Sequence, residues 1–299
     1  MSASPQTLFE RADAVRDHAA TRVGPYRLER RLGRGALGEV HLAVHTGTGQ
    51  VVALKTLLPQ AACGDDEAAE ARERFVTEAA TAQRLSHPAI VTVHAAGDDA
   101  GVAWMAMEVL RGCDLDRYTR APRLLPEALV VRIGERLARA LAHAHAQGVV
   151  HRDIKPANVM FDLPGGTVKL TDFGIAGVAD FSRTRTGVVL GTPLYMAPEQ
   201  LAGASADARS DQYSLGVLLF HLLSGRLPHE ATSLGDLLRQ VARESAPDVL
   251  ALRPTLSPAL AAIVATALHK QPAARHAGMA AMAAALTAVA PPDGPIVAP

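Results

Sequence analysis

Asp153, Lys155 and Asn158 bring a carboxylate, an ammonium and an amide together between two short apolar runs, Val149-Val150 and Val159-Met160. Aspartate and lysine are rarely fully buried without a partner, so apolar anchors on both sides of such a trio call for a reason. Pro156 lacks an N–H and holds Lys155 in extended geometry, which argues against a helix. The stretch is predicted to be a rigid loop, fixed at both ends, that projects the three polar groups together. After the turn at Pro164-Gly165-Gly166, the run Val168-Lys169-Leu170-Thr171-Asp172-Phe173-Gly174 alternates. Val168, Leu170 and Asp172 then share one face, so a second acid ends an otherwise buried face. Two acids and an asparagine suit a hard divalent metal bound through oxygen, and a nearby lysine suits phosphate.

The run His151 to Asn158 followed by Asp172-Phe173-Gly174 resembles the catalytic loop and metal-binding motif of eukaryotic-type protein kinases, the general template for phosphoryl transfer. The resemblance implies an α+β, two-lobed protein-kinase fold, with a small antiparallel β-sheet lobe carrying one helix and a larger, mainly helical lobe. It implies ATP and Mg²⁺. Asp153 would orient the substrate hydroxyl and accept its proton late, and Lys155 would neutralise charge on the transferring group. Asn158 and Asp172 would hold the metal, and His151 and Phe173 would pack as supports. Lys155 beside Asp153 is the serine/threonine form of the loop. Gly191-Thr192 ahead of Tyr195 and Ala197-Pro198-Glu199 points the same way, with Thr192 bridging Asp153 and Lys155.

Upstream elements must deliver the phosphates to that loop. Leu32-Gly33-Arg34-Gly35-Ala36-Leu37-Gly38-Glu39-Val40 sets three glycines ahead of the alternating Val40, Leu42 and Val44. Glycines let a hairpin close tightly enough for backbone N–H groups to approach phosphate oxygens. A dinucleotide-binding fold would need a helix directly after the third glycine, whereas a β-branched strand follows here, as in the kinase nucleotide loop. Leu37 departs from the family, which often carries an aromatic there. In Val51-Val52-Ala53-Leu54-Lys55, period two puts Val51, Ala53 and Lys55 on one face, with Ala53 small enough to admit a flat base. Lys55 either snorkels to solvent or has an acidic partner. Glu78 lies in the stripe Phe75, Glu78, Ala82, Leu85 of a helix predicted over Phe75 to Leu85. It either sits at the solvated edge or pairs with Lys55, since breaking a buried pair costs about 3–5 kcal/mol. The resemblance implies the pair. Strands are predicted over Ile90 to Ala95 and Val102 to Met107. Met107-Glu108-Val109-Leu110 resembles the adenine-binding linker, with Met107 at the rear of the pocket and Met160 among the nucleotide contacts. Asp114 either meets the ribose or caps a helix.

Leu129 to Gln147 has the apolar stripe Val130, Ile133, Leu137, Leu141, Ala144 of a helix that Gly148 ends. His143 and His145 are two apart and splay, so they make no metal site. Thr184 and Thr186 lie in a hydroxyl-rich stretch that looks like an activation segment. Arg152 would carry an unpaired charge that a phosphothreonine could meet, so autophosphorylation on either or both is expected to activate. Asp211 to Leu223 is apolar nearly all round and reads as a buried central helix, Asp211 either capping it or, as the family implies, anchoring the catalytic loop. Helices are expected over Leu234 to Arg243, Pro258 to Leu268 and Gly278 to Val289, with Arg275 as the partner of Glu199.

Lys plus Arg and Asp plus Glu balance at 30 each, so charge gives no argument for nucleic acid or membrane binding. Cys63 and Cys113 are too few for a disulfide framework and suggest a reducing compartment. No signal peptide or bilayer-spanning run is evident, and a cytoplasmic protein is expected. Residues 1–25 read as an extension with a short helix from Thr7 to His18. Residues 26–289 read as the kinase domain: small lobe 26–107, hinge 108–114, large lobe 115–289. Residues 290–299 read as a disordered tail. The expected partners are proteins bearing Ser or Thr, and a dimer is compatible with autophosphorylation. A pseudokinase scaffold would show loss of Lys55, Asp153, Asn158 or Asp172, and all four are present. A small-molecule kinase would not need Thr192 and the Ala197-Pro198-Glu199 ledge.

Overall fold

The computed structural model describes residues 22–35, 38–57, 65–173 and 192–290, without the side chains of residues 65–67 and 192. The expected helix at 7–18, the loop tip Ala36-Leu37, the segment with Thr184 and Thr186, the proposed Thr192 bridge and the tail after residue 290 lie outside what it describes.

A six-stranded antiparallel sheet forms the small lobe, in the order β1-β2-β3-β4-β6-β5. Its strands are β1 (Arg22–Val23), β2 (Tyr26–Arg34), β3 (Gly38–His45), β4 (Val51–Leu57), β5 (Val93–Asp99) and β6 (Val102–Met107). Arg22–Val23 pairs with Arg27–Tyr26, so the sheet starts before the expected boundary at Tyr26. The strand expected over Ile90 to Ala95 begins later. Ile90 instead makes an isolated bridge to Leu170 of the large lobe, and Val91 N–H donates to Leu170 O at 2.9 Å. β-Branched residues mark this stretch as extended, but the partner they find is the other lobe.

Helix α1 (Asp65–Ala82) packs on β5 and β6. It starts ten residues before the expected Phe75 because residues 68–74 are Ala, Glu and Arg, good helix formers without a large apolar stripe to announce them. Phe75, Ala79 and Ala82 are buried, as the periodicity requires.

The large lobe holds α2 (Glu127–Ala146), α3 (Pro198–Leu201), α4 (Ala208–Ser224), α5 (Leu234–Arg243), α6 (Val249–Leu252), α7 (Pro258–Ala267) and α8 (Met279–Val289). A second sheet runs β7 (Cys113–Asp114), β8 (Val159–Asp162) and β9 (Thr167–Leu170). The stripe of α2 is buried throughout, and Gly148 adopts the left-handed conformation that ends it (φ 74°). Helix α4 is capped by Asp207, whose carboxylate accepts from the N–H groups of Arg209 and Ser210, and ends at left-handed Gly225. Its residues from Ser210 to Phe220 are all buried, and it packs against α2 and α7. One apolar core continues from Phe75 and Met105 in the small lobe through Ile90, Leu170 and Phe173 into α4. Tyr26, Val52 and Trp104 form a separate cluster in the small-lobe sheet.

Candidate active site

Asp211, on buried α4, sets the catalytic loop. Its Oδ2 accepts from His151 N at 2.9 Å and its Oδ1 from Arg152 N at 2.8 Å. Oδ2 also meets His145 Nε2 at 2.7 Å. Asp211 is thus the loop's anchor and Asp207 the cap. Gripping two consecutive N–H groups holds Arg152 in a left-handed backbone (φ 70°) that only a few per cent of non-glycine residues adopt.

The His151 ring links the loop to the second acid. Its Nε2 donates to Thr171 O at 2.9 Å, its Nδ1 accepts from Asp153 N at 3.2 Å, and the ring lies 4.6 Å from that of Phe173. Thr171 N and Oγ1 both donate to Asn158 O, at 2.9 and 3.1 Å. The three expected polar groups converge. Asp153 Oδ2 accepts from Lys155 Nζ at 2.7 Å and Asn158 Nδ2 at 3.0 Å. Asp153 Oδ1 is buried and has no hydrogen-bond partner among the described residues. A buried carboxylate oxygen without a donor is costly, and a substrate hydroxyl is the kind of donor it lacks.

Lys55, at the inner end of β4, reaches across the lobes to Asp172 Oδ1 at 2.6 Å. Burial pushes the Asp172 carboxyl up, but the Lys55 ammonium outweighs it, so the net displacement is below the usual carboxylate range. The expected pair with Glu78 is therefore absent. Glu78 lies on the inward stripe as expected, yet its Oε2 is buried without a partner among the described residues. Burial pushes its carboxyl up to about 7, with Arg152 and Arg74 drawing it down. Lys55 serves Asp172, and the half-buried Glu78 is left with the guanidinium groups of Arg152 and Arg74 as the cations acting on it. Arg152, expected to be a bare charge, has Glu78 as its neighbour.

The glycine hairpin divides by role. A Cβ at Gly38 would lie 2.0 Å from Thr56 O, so this glycine is required by strand packing. A Cβ at Gly33 would meet nothing within 4 Å, and one at Gly35 only Gly38 O at 3.9 Å. Among the described residues no contact demands these two, as fits a surface kept clear for phosphate. Glu39 and Arg34 were expected among the nucleotide contacts. The Glu39 carboxylate is taken up by Arg31 at 3.4 Å, His41 at 3.6 Å and Arg34 at 3.8 Å, which leaves backbone N–H groups as their offer to a ligand. Ala53 pairs directly with Met107 across β4 and β6, and both are buried. Leu32 and Val109 are exposed apolar residues at the hairpin and the hinge, while Val40 packs against the core. Asp114 precedes a short 3-10 turn (Leu115–Tyr118) but makes no cap hydrogen bond, so its carboxylate is not spent on capping.

A brace at the hinge escaped sequence reasoning. The Glu108 side chain accepts from Thr92 N at 2.7 Å and Lys169 Nζ at 2.6 Å, and Lys169 also donates to Ile90 O at 3.1 Å. The available signal was Lys169 itself, a charge on the face of β9 opposite Val168 and Leu170.

The family described as protein kinase domain matches residues 26–286. The chain belongs to the protein kinase family. Among curated relatives, this kinase is 43% identical over 269 residues to serine/threonine-protein kinase PknJ of Mycobacterium tuberculosis, covering 87% of this chain and 45% of PknJ. It is 37% identical over 270 residues to serine/threonine-protein kinase Pkn1 of Myxococcus xanthus, covering 89% of this chain and 38% of Pkn1. The chain thus spans less than half the length of either. A crystal structure of Rad53 1–466 in complex with AMP-PNP superposes with a TM-score of 0.69 at 25% identity, covering 87% of this chain and 64% of that one. The two-lobed fold is the kinase fold.

Asn158 and Asp172 fit a metal of the magnesium type. Both offer oxygen, the amide nitrogen of Asn158 is already spent on Asp153, and Mg²⁺ characteristically takes one or two protein oxygens with phosphates and water completing its shell. Among the described residues no cluster of three or more His, Cys, Asp or Glu side chains offers an all-protein cage.

Proposed function

We propose that this kinase transfers the γ-phosphoryl group of ATP to serine or threonine hydroxyls of proteins. The observation carrying the reading is the divided Asp153 carboxylate: Oδ2 held by Lys155 and Asn158, Oδ1 buried and unmatched among the described residues. The hydroxyl of an incoming Ser or Thr donates to Oδ1, which aims its oxygen at the phosphorus. As the new O–P bond forms and the bond to the ADP oxygen breaks, the hydroxyl proton passes to Asp153. Lys155, already within reach of Oδ2, offsets charge on the moving phosphoryl oxygens. Because the transition state is loose, positioning and electrostatics supply most of the acceleration. Mg²⁺ held by Asn158 and Asp172 would neutralise phosphate charge. Lys55, on β4 and 2.6 Å from Asp172, would serve the α- and β-phosphates. The base would lie between Ala53 and Met160, against Met107 and the hinge backbone of Glu108 and Leu110.

Activation by autophosphorylation of Thr184 or Thr186 belongs to the same proposal. It is supported by the position of those hydroxyls between Asp172 and Glu199 and by Arg152 beside the catalytic acid. A cytoplasmic place of action follows from the need for ATP. Among the described residues no helix is long and apolar enough to cross a membrane.

Labelled ATP, Mg²⁺ and a mixed Ser/Thr peptide pool test the reading. Asp153→Asn should lower transfer by roughly 10²–10⁴-fold, the usual worth of a general base, while nucleotide still binds. Equal transfer by wild type and variant would refute the assignment. Mass spectrometry of the wild type after incubation should find phosphate on Thr184 or Thr186; full activity with both unmodified would dismiss the switch.

A further inference from the structure

A cavity of about 460 Å³ opens beside Lys155, walled by Pro156, Ala157, Leu194, Tyr195, His221 and Leu227. Its wall also carries charges of both signs, Asp116 and Glu230 against Arg120, Lys155 and Arg226. Arg226 meets Glu230 at 3.2 Å on the rim. Burial and the like charge of Asp114 push the Asp116 carboxyl up, while Lys155 and Arg120 draw it down. His221 is bonded to the Tyr195 hydroxyl at 2.7 Å, and burial holds its imidazole down to about 4, so it is neutral at physiological pH. A charged occupant would shed water and meet charges of both signs rather than a single opposite one. An apolar occupant sheds only unfavourable hydration.

We propose that this cavity receives an apolar side chain of the protein substrate, with Leu227 and His221 as the residues that set the preference. The inference rests on the phosphotransfer reading, because Lys155 both lines the cavity and lies 2.7 Å from Asp153 Oδ2. A peptide advances at most about 3.3–3.6 Å per residue, so the occupant falls within about four residues of the phosphorylated one.

The test is a positional-scanning peptide library with a fixed Ser/Thr acceptor, varied over about four residues on either side. It is run on the full chain as wild type, Leu227→Asp and His221→Glu. The wild type should phosphorylate peptides with Leu, Met or Phe at one of these positions roughly 10-fold faster than those with Asp or Arg there, the scale on which a pocket discriminates small apolar differences. Leu227→Asp should reduce that ratio to about 2-fold or less, and His221→Glu should raise the rate for Arg at the same position only. These are ratios within one enzyme, so lost total activity does not imitate them, and Leu227→Asp carries the test if His221→Glu does not fold. Phosphorylation without an apolar preference at any of these positions, or with the ratio unchanged in Leu227→Asp, overturns this inference and leaves the phosphotransfer reading intact. Absence of transfer to every peptide and protein overturns both.

Discussion

The most exposed disagreement between chemistry and geometry sits on one side chain, Glu78. Its carboxyl is raised to about 7 by burial, above the value it takes in the unfolded chain. The folded state therefore binds the proton more tightly, and this stabilising contribution is complete below about 4.5 and lost as pH climbs through about 7. Glu78→Gln keeps the shape and removes the titration. The melting temperature of the wild type, measured against the variant, should fall between about pH 5 and pH 7.5; a constant difference across that range would show that Glu78 does not titrate there. The inward stripe was legible in the sequence, because periodicity alone puts Glu78 with Phe75 and Ala82. Its partner was not, because the 2.6 Å contact of Lys55 with Asp172 joins residues from different lobes.

At the scale of elements, the β2–β3 hairpin separates a glycine that packing requires from glycines that the described packing does not. Gly38→Ala sets a methyl group against Thr56 O at 2.0 Å and should destabilise the small lobe by about 1–3 kcal/mol. Gly33→Ala meets nothing, so its melting temperature should stay near wild type while KM for ATP rises. Thermal melts and ATP titrations of the two variants should show opposite patterns, and matching patterns would undo the division. The glycine spacing announced the hairpin, but only neighbouring atoms tell which glycine serves which end. Likewise Ile90 was legible as extended and apolar, whereas its docking on Leu170 depends on where the large lobe lies. The Asp211 anchor and the Arg275–Glu199 pair were foreseen through the family resemblance, and hydropathy alone would have read Asp211 as a cap.

For the molecule as a whole, Arg275, just ahead of α8, fastens that end of the large lobe to α3. It meets Glu199 through two bonds of 2.7 and 2.8 Å, also reaches Arg209 O at 2.8 Å, and has a wholly buried side chain. Arg275→Met strands Glu199 and should cost about 3–5 kcal/mol, lowering the melting temperature by roughly 6–20 °C for a domain of this size. A shift of a degree or two would mean the pair contributes little. The two lie 76 positions apart in the chain, and nothing but the family resemblance linked them in the sequence.

The grip of Asp211 on the loop backbone has a wider consequence. The helix that carries this acid is also the spine of the large lobe, sealed from solvent along most of its length, so the Asp153 carboxylate proposed as the base has no independent foundation. A trimmed leucine at Leu219, remote from any nucleotide, would loosen the mount as well as the interior. Such a lesion would present in the assay as a defective enzyme, although the residue touches nothing that reacts.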